Sequence, residues 1–223
     1  MTARCVFITG ATGYLGRALI PALLARGHRV RALAREVSAA RLARGAETVI
    51  GNALDAETYS SAIAPADTLL HLIGTPHPSP AKAASFQAVD LVSVDAALAA
   101  AMRAGVRHFI YVSVAQPAPI MQAYIAVRQA GEARIRASGI LATILRPWYV
   151  LGPGHRWPYL LLPIYAVLRL LPATRDAAQR LSFVTLAQMV CALVASVEQG
   201  PQGVRVIEVP GIRAAGAHGL TSD

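Results

Sequence analysis

The chain has 223 residues, 55% of them hydrophobic and 15% charged, with 17 Gly and 14 Pro. That balance fits one globular unit with a buried core and excludes a disordered chain, which needs few apolar residues and many charges. The formal charge of +9 comes from 20 Arg and one Lys with no basic run among them, which argues against a nucleic-acid partner and for a solvated basic surface or an acidic ligand.

Cys5 and Cys191 lie far apart and belong to no Cys/His cluster with ligand spacing, so no metal site is expected and both read as thiols of a reducing, cytoplasmic compartment. The N-terminus runs directly into a strand pattern, which leaves no secretory leader in view.

In chain order, RCVFIT (Arg4 to Thr9) is a short apolar strand ending at Gly10. A helix from Tyr14 to Arg26 follows, with Leu15, Leu19, Leu23 and Leu24 at helical spacing, Pro21 inside it and Gly27 as its stop. The pattern continues with a strand from His28 to Ala34, a short helix from Ser38 to Arg44, and a strand from Glu47 to Ile50. A helix from Ala56 to Ile63 leads to a strand from Thr68 to Ile73, and the loop TPHPSP then carries three prolines in six residues. Next come a long helix from Ala84 to Ala104, a strand from His108 to Ser113, a helix from Tyr124 to Ala137 and a strand from Ala142 to Leu145. Strict alternation of strand and helix predicts parallel strands joined by right-handed crossovers, a doubly wound α/β sheet.

Beyond Pro147 the pattern changes. The stretch WPYLLLPIYAVLRLLP (157–172) is apolar but broken by Pro163 and Arg169, too short to span a bilayer, and reads as a substrate-side lid with weak membrane-surface contact as the alternative. A helix from Leu186 to Val197 and a strand from Val204 to Val209 close the fold. The expected organisation is a dinucleotide-binding Rossmann domain over 1–154, a small C-terminal substrate-side region over 155–210 packed on it, and a loose tail over 211–223.

The motif that carries chemistry is TGATGYLG, Thr9 to Gly16, between the first strand and the first helix. Gly10, Gly13 and Gly16 make a G-x-x-G-x-x-G spacing that permits a tight turn, close approach of backbone to a pyrophosphate, and close packing of helix on strand. The helix N-terminus then offers unpaired N–H groups and partial positive charge to phosphates. Such sites for NAD place an acidic residue about 20 positions on, at the ribose 2′-hydroxyl. Here Arg35 stands 19 positions after Gly16, behind the small Ala34, with Arg31 nearby and Glu36 adjacent. A guanidinium fork suits the 2′-phosphate of NADP, which is therefore the favoured cofactor; Glu36 keeps NAD possible, and Arg31 reads equally as a solvated strand charge.

With these residues in place the sequence resembles the extended and atypical short-chain dehydrogenase/reductase superfamily, and most closely its NAD(P)H-binding, NmrA-like and complex I accessory-subunit-like branches. The likeness runs from residue 4 to about 154 through TGATGYLG, GNALD, YVSVA, Tyr124 with a basic residue four positions on, and ILRP. It implies that Gly10, Thr12, Gly13, Tyr14, Leu15 and Gly16 surround the pyrophosphate, Asn52 and Ala53 meet the adenine, and Ile73 and Gly74 flank the nicotinamide ribose. It further implies Ser113 and Tyr124 as catalytic serine and tyrosine, with Pro147 and Trp148 beside the nicotinamide. Arg128 stands where active members have lysine, and a planar fork does not replace an ammonium at a geometric site.

The residues themselves leave alternatives open. Tyr124, Arg128 and Glu132 share a helix face and read equally as an active-site row or as a solvated Arg128–Glu132 ladder; Ser113 reads as a ligand contact or as a strand-end turn. His71 inside an apolar strand reads as a core histidine, and His77 and His155 as loop residues at the cleft. Trp148, Tyr149, Trp157, Tyr159 and Tyr165 suit either an apolar substrate pocket or core packing. The expected activity is an NADP-dependent oxidoreductase acting on the carbonyl or alcohol of a small apolar substrate; the alternative is a non-catalytic NADP(H)-binding redox sensor or assembly protein.

Overall fold

The computed structural model describes residues 3–76, 78–153 and 180–219. Seven parallel strands form one sheet: β1 (Cys5–Thr9), β2 (Arg29–Ala34), β3 (Glu47–Ile50), β4 (Thr68–His71), β5 (His108–Val112), β6 (Ala142–Arg146) and, across the gap, β9 (Val204–Glu208). Their order is β3-β2-β1-β4-β5-β6-β9, so the winding direction reverses between β1 and β4. Ligands of such sheets bind outside the carboxyl ends of the strands at that reversal.

Alternation along each strand builds two cores. Val6, Ile8, Leu70, Ile110 and Leu145 pack on one face, while Phe7, Leu69, Phe109, Tyr111 and Ile144 pack on the other, all fully buried. Helix α1 (Tyr14–Ala25) covers the first face through Leu19, Ile20 and Leu23 and runs through Pro21 without ending. Helix α2 (Val92–Arg103) covers the second face through Val94, Ala97 and Ala101, and α3 (Gln122–Ala137) packs beside it.

Several expected helices are tighter than their sequence pattern suggested. Residues Glu36–Arg41 form a 3-10 segment, and the expected helix over 56–63 is two 3-10 turns, Ala56–Thr58 and Ser60–Ala62. Local polar side chains compete with a regular helix there. Asp55 accepts from Glu57 N at 3.1 Å, and Thr58 Oγ1 accepts from Asn52 N at 3.0 Å and donates to Asp55 O at 2.7 Å. The long helix begins early, at Pro80, and contains a π-helical turn over Phe86–Leu91 that places both Phe86 and Asp90 inside the protein.

The expectation of a loose tail is corrected for the described residues. Val209–Gly219 is a helix, α5, packed closely along α4 (Leu186–Gln199). Pro210 sits in its first turn, where no N–H is needed, and Val209 and Ile212 are fully buried in the first core. The absence of a side chain at Gly216 lets α5 close on α4, where a Cβ would meet the Gln188 backbone and side chain within 3.0 Å. Arg213 donates from Nε and Nη2 to Phe183 O at 2.8 and 2.5 Å. The sequence also gave no sign of β7 (Tyr149–Leu151) and β8 (Phe183–Thr185), a separate parallel pair. The lid stretch 157–172, with Trp157, Tyr159 and Tyr165, and the loop residues His77 and His155 lie outside the described residues.

Candidate functional site

At the switch point, the carboxyl ends of β1, β2, β3 and β4 surround a cavity of about 350 Å³. Gly10, Thr12 and Gly13 form one wall, Ala34, Arg35 and Ser38 another, Asn52 and Ala53 a third, and Ile73 and Gly74 the side toward β5. Leu33, Leu54, Leu72 and Val89 complete an apolar lining that the motif reading did not single out; alternation along β2 and β4 is the signal that carries Leu33 and Leu72.

The glycines are required by space. Gly10 has φ +75, and a Cβ on it would sit 2.8 Å from the Leu72 backbone of neighbouring β4. A Cβ on Gly16 would lie 2.4 Å from Ala11 O, so only glycine lets the opening turn fold under α1. At Gly13 the backbone is extended and a Cβ would meet only Gly10 O, at 3.1 Å. That bare position at the head of α1 faces the cavity and is the cradle a diphosphate needs. The residues present therefore fit a dinucleotide. Leu15 turns toward the first core, and the Tyr14 hydroxyl lies against Gly152, where a Cβ would meet it at 2.1 Å.

At the β2 wall, Arg35 is exposed at the cavity rim and its side chain makes no ion pair among the described residues, while Ser38 Oγ donates to Arg35 O at 3.0 Å and shapes the turn. Arg31 is engaged elsewhere, with the Glu47 carboxylate and Ala64 O, and its side chain is largely covered rather than solvated. Asn52 Oδ1 accepts from Leu54 N at 3.1 Å, so this side chain holds the loop that forms the third wall of the cavity.

The residues from the other motifs lie deeper. Arg128 is buried: Nη2 donates to Asp90 Oδ1 at 2.6 Å, and Nη1 donates to Val112 O at 3.1 Å, to Ile73 O at 3.3 Å and to the Tyr111 hydroxyl at 3.3 Å. Its guanidinium lies 5.1 Å from the Tyr124 ring centroid, and a Cβ on Gly74 would meet it at 2.3 Å. Burial alone would lower its pKa, but Tyr124, Tyr111 and Asp90 outweigh that and fix the positive charge. Asp90 is itself fully buried and accepts from Thr75 N at 3.1 Å and Thr75 Oγ1 at 2.5 Å, tying the 74–75 loop to the π-helical turn that leads into α2.

The solvated Arg128–Glu132 ladder is thus corrected. Glu132 is buried in a second network, accepting from Arg146 Nη2 at 2.5 Å, Arg136 Nη2 at 3.0 Å, Gln116 Nε2 at 2.8 Å and Ser113 Oγ at 2.7 Å. Burial pushes its carboxyl up, but these donors outweigh burial and hold it below the ordinary carboxylate range. Tyr124 is half-buried and edge-on to Phe86 at 5.1 Å. Trp148 packs against Val114 and Ile125 in a small cluster, Pro147 O accepts from Ala115 N at 2.9 Å, and neither lines the cavity. His71 is a core histidine, bonded to Thr9 Oγ1 at 2.8 Å and Ser93 Oγ at 3.2 Å, and burial lowers its pKa to about 3.

Residues 10–155 match the family described as NAD(P)H-binding. The chain belongs to this NAD(P)H-binding family. Among curated proteins, a ceramide reductase of Caulobacter vibrioides is 34% identical over 154 residues, covering 67% of this chain and 47% of that protein. A 4-hydroxy-2-methyl-3-oxo-4-farnesyl-3,4-dihydroquinoline-1-oxide ketoreductase of Stigmatella aurantiaca is 36% identical over 122 residues, covering 52% of this chain and 36% of that protein. The chain thus spans less than half the length of these relatives. Among solved structures, the Bordetella bronchiseptica enzyme WbmH in complex with NAD+ has a TM-score of 0.69 at 21% identity, covering 91% of this chain and 75% of that one, a likeness of fold.

Proposed function

We propose that this family member binds NADP(H) in preference to NAD(H) and holds it for reduction of a carbonyl, or oxidation of the corresponding alcohol, on an apolar substrate. The observation that carries the cofactor reading is the cavity itself, with the bare Gly13 backbone at one wall and, at another, the Arg35 guanidinium, which makes no ion pair among the described residues. A fork at that rim matches a 2′-phosphate, and Ala34 leaves room for it. The two curated relatives supply the substrate class: one name specifies ceramide and the other a farnesyl compound, both with long apolar chains.

When bound, the nicotinamide supplies or accepts the hydride. Tyr124 passes the proton to or from the substrate oxygen, and Arg128 orients its ring through the cation–π contact. Ser113 Oγ donates its hydrogen bond to Glu132, so the hydrogen bond to the substrate oxygen falls to Tyr124. The same facts favour a second reading, a non-catalytic NADP(H)-binding protein, because Arg128 and Ser113 are both already committed to buried carboxylates.

Calorimetric titration with NADPH and NADH tests the cofactor assignment. Wild-type protein prefers NADPH, and Arg35→Ala loses that preference, about 10-fold or more, while keeping its affinity for NADH. Equal affinities in the wild type refute it. NADPH oxidation with a long-chain ketone, abolished in Tyr124→Phe with NADPH binding intact, separates the enzyme from the non-catalytic reading.

A further inference from the structure

A second cavity, about 560 Å³, opens at the opposite edge of the sheet, among the amino ends of the strands and away from the glycine turn. Arg4 precedes β1, Asp67 precedes β4, Arg107 precedes β5 and His108 opens it, and Ile140 and Leu141 precede β6, so the topology itself gathers these residues at one mouth. Arg4 and Arg107 share a single carboxylate, Asp67, at 4.0 Å each, too far for a hydrogen bond. The Asp67 side chain is occupied instead at 2.7 Å by Thr68 Oγ1.

Two further donors are left over. His108 is 1% exposed, its Nε2 is bonded to Thr143 Oγ1 at 3.0 Å, and its Nδ1 is buried without a partner among the described residues. Arg4 Nε is likewise buried and unpartnered. Burial, with the Arg4 and Arg205 charges, keeps the imidazole neutral, and in the tautomer that takes Thr143 Oγ1 as donor to Nε2 the proton sits on Nδ1, free to donate. A buried polar atom without a partner is costly, and in a cavity wall it is a place where a ligand completes the bond.

We infer that this basal cavity binds a phosphate group, held by Arg4, Arg107 and the Nδ1–H of His108. A tetrahedral anion presents three terminal oxygens to three converging donors, whereas a planar carboxylate presents two. The local charge favours it, with one carboxylate against the guanidiniums of Arg4 and Arg107. The apolar remainder of the wall, Ile140 and Leu141, suits the body of a monoester.

Isothermal titration of the whole chain with inorganic phosphate and with phenyl phosphate tests the site, using Arg107→Gln, Arg4→Gln and the cofactor-site variant Gly13→Ala. Arg107 is largely exposed, so its variant folds. Saturable binding that weakens about 10-fold or more in either arginine variant and is unchanged in Gly13→Ala supports the basal site. Tighter binding of phenyl phosphate assigns a monoester, and equal binding assigns the free anion. No saturable binding by either probe, indifference to both arginine variants, or loss of binding in Gly13→Ala overturns the inference.

Discussion

The buried Arg128 makes the sharpest energetic prediction, through the change that restores the lysine of the resembling superfamily, Arg128→Lys. The guanidinium satisfies one carboxylate, two backbone carbonyls and one phenol from a position with 4% side-chain exposure. A lysine ammonium reaches Asp90 and at most one more of these acceptors, leaving two without a donor and removing the flat face that lies against Tyr124. Each buried acceptor left unmet costs about 1–3 kcal/mol, so the variant should lose roughly 2–6 kcal/mol. That is a large share of the roughly 5–15 kcal/mol that holds a domain together. Urea denaturation followed by far-UV circular dichroism reads the loss as a lower midpoint at constant slope. Asp90→Ala, which strands the guanidinium, should cost about 3–5 kcal/mol. A loss below about 1 kcal/mol in Arg128→Lys would show that the fork is not what fills this site.

Two further measurements probe the frame. Burial lowers His71 to about 3 and His108 to about 4 from 6.5, so neither binds a proton in the folded state at mildly acid pH while the unfolded chain does. Stability is therefore unaffected by these groups above pH 6.5 and falls below it, by roughly 5 kcal/mol for both together at pH 4.5. Glu132, with its carboxyl lowered, adds loss in the same direction at still lower pH. A urea midpoint constant from pH 6.5 to 4.5 would contradict this. Ile212→Ala in α5 should cost about 2–4 kcal/mol, measured by the same titration, because the fully buried side chain belongs to the first core; a neutral result would mean α5 does not pack there.

Local signals made the cavity at the switch point readable from the sequence. Gly10, Gly13 and Gly16 between a strand and a helix, Arg35 at the end of β2, and Asn52, Ala53, Ile73 and Gly74 at the ends of β3 and β4 all surround one cavity or support its turn. Strand–helix alternation likewise carried the sheet, because burial on both faces demands near-continuous apolar runs. The networks were not readable, because their partners lie far apart in sequence. Nothing local pairs Arg128 with Asp90, 38 positions away, or sends Glu132 to Arg146 and Ser113. Helical spacing instead joined Arg128 to Glu132, which share a helix but sit in separate networks. Composition misled at the tail, where Gly and Ala permit close helix packing as readily as a loose end.

The dinucleotide cradle is tested most directly by calorimetry with NADPH on the wild type and on Gly13→Ala. The extended backbone at Gly13 accepts an alanine, and its Cβ asks a neighbouring carbonyl to give by only a few tenths of an ångström, so the variant should melt as the wild type does. Its methyl group nevertheless occupies the approach to the diphosphate, and binding should weaken about 10-fold or more. Wild-type protein that takes up neither nicotinamide nucleotide, or an alanine variant that binds NADPH as tightly as the parent, would contradict the account.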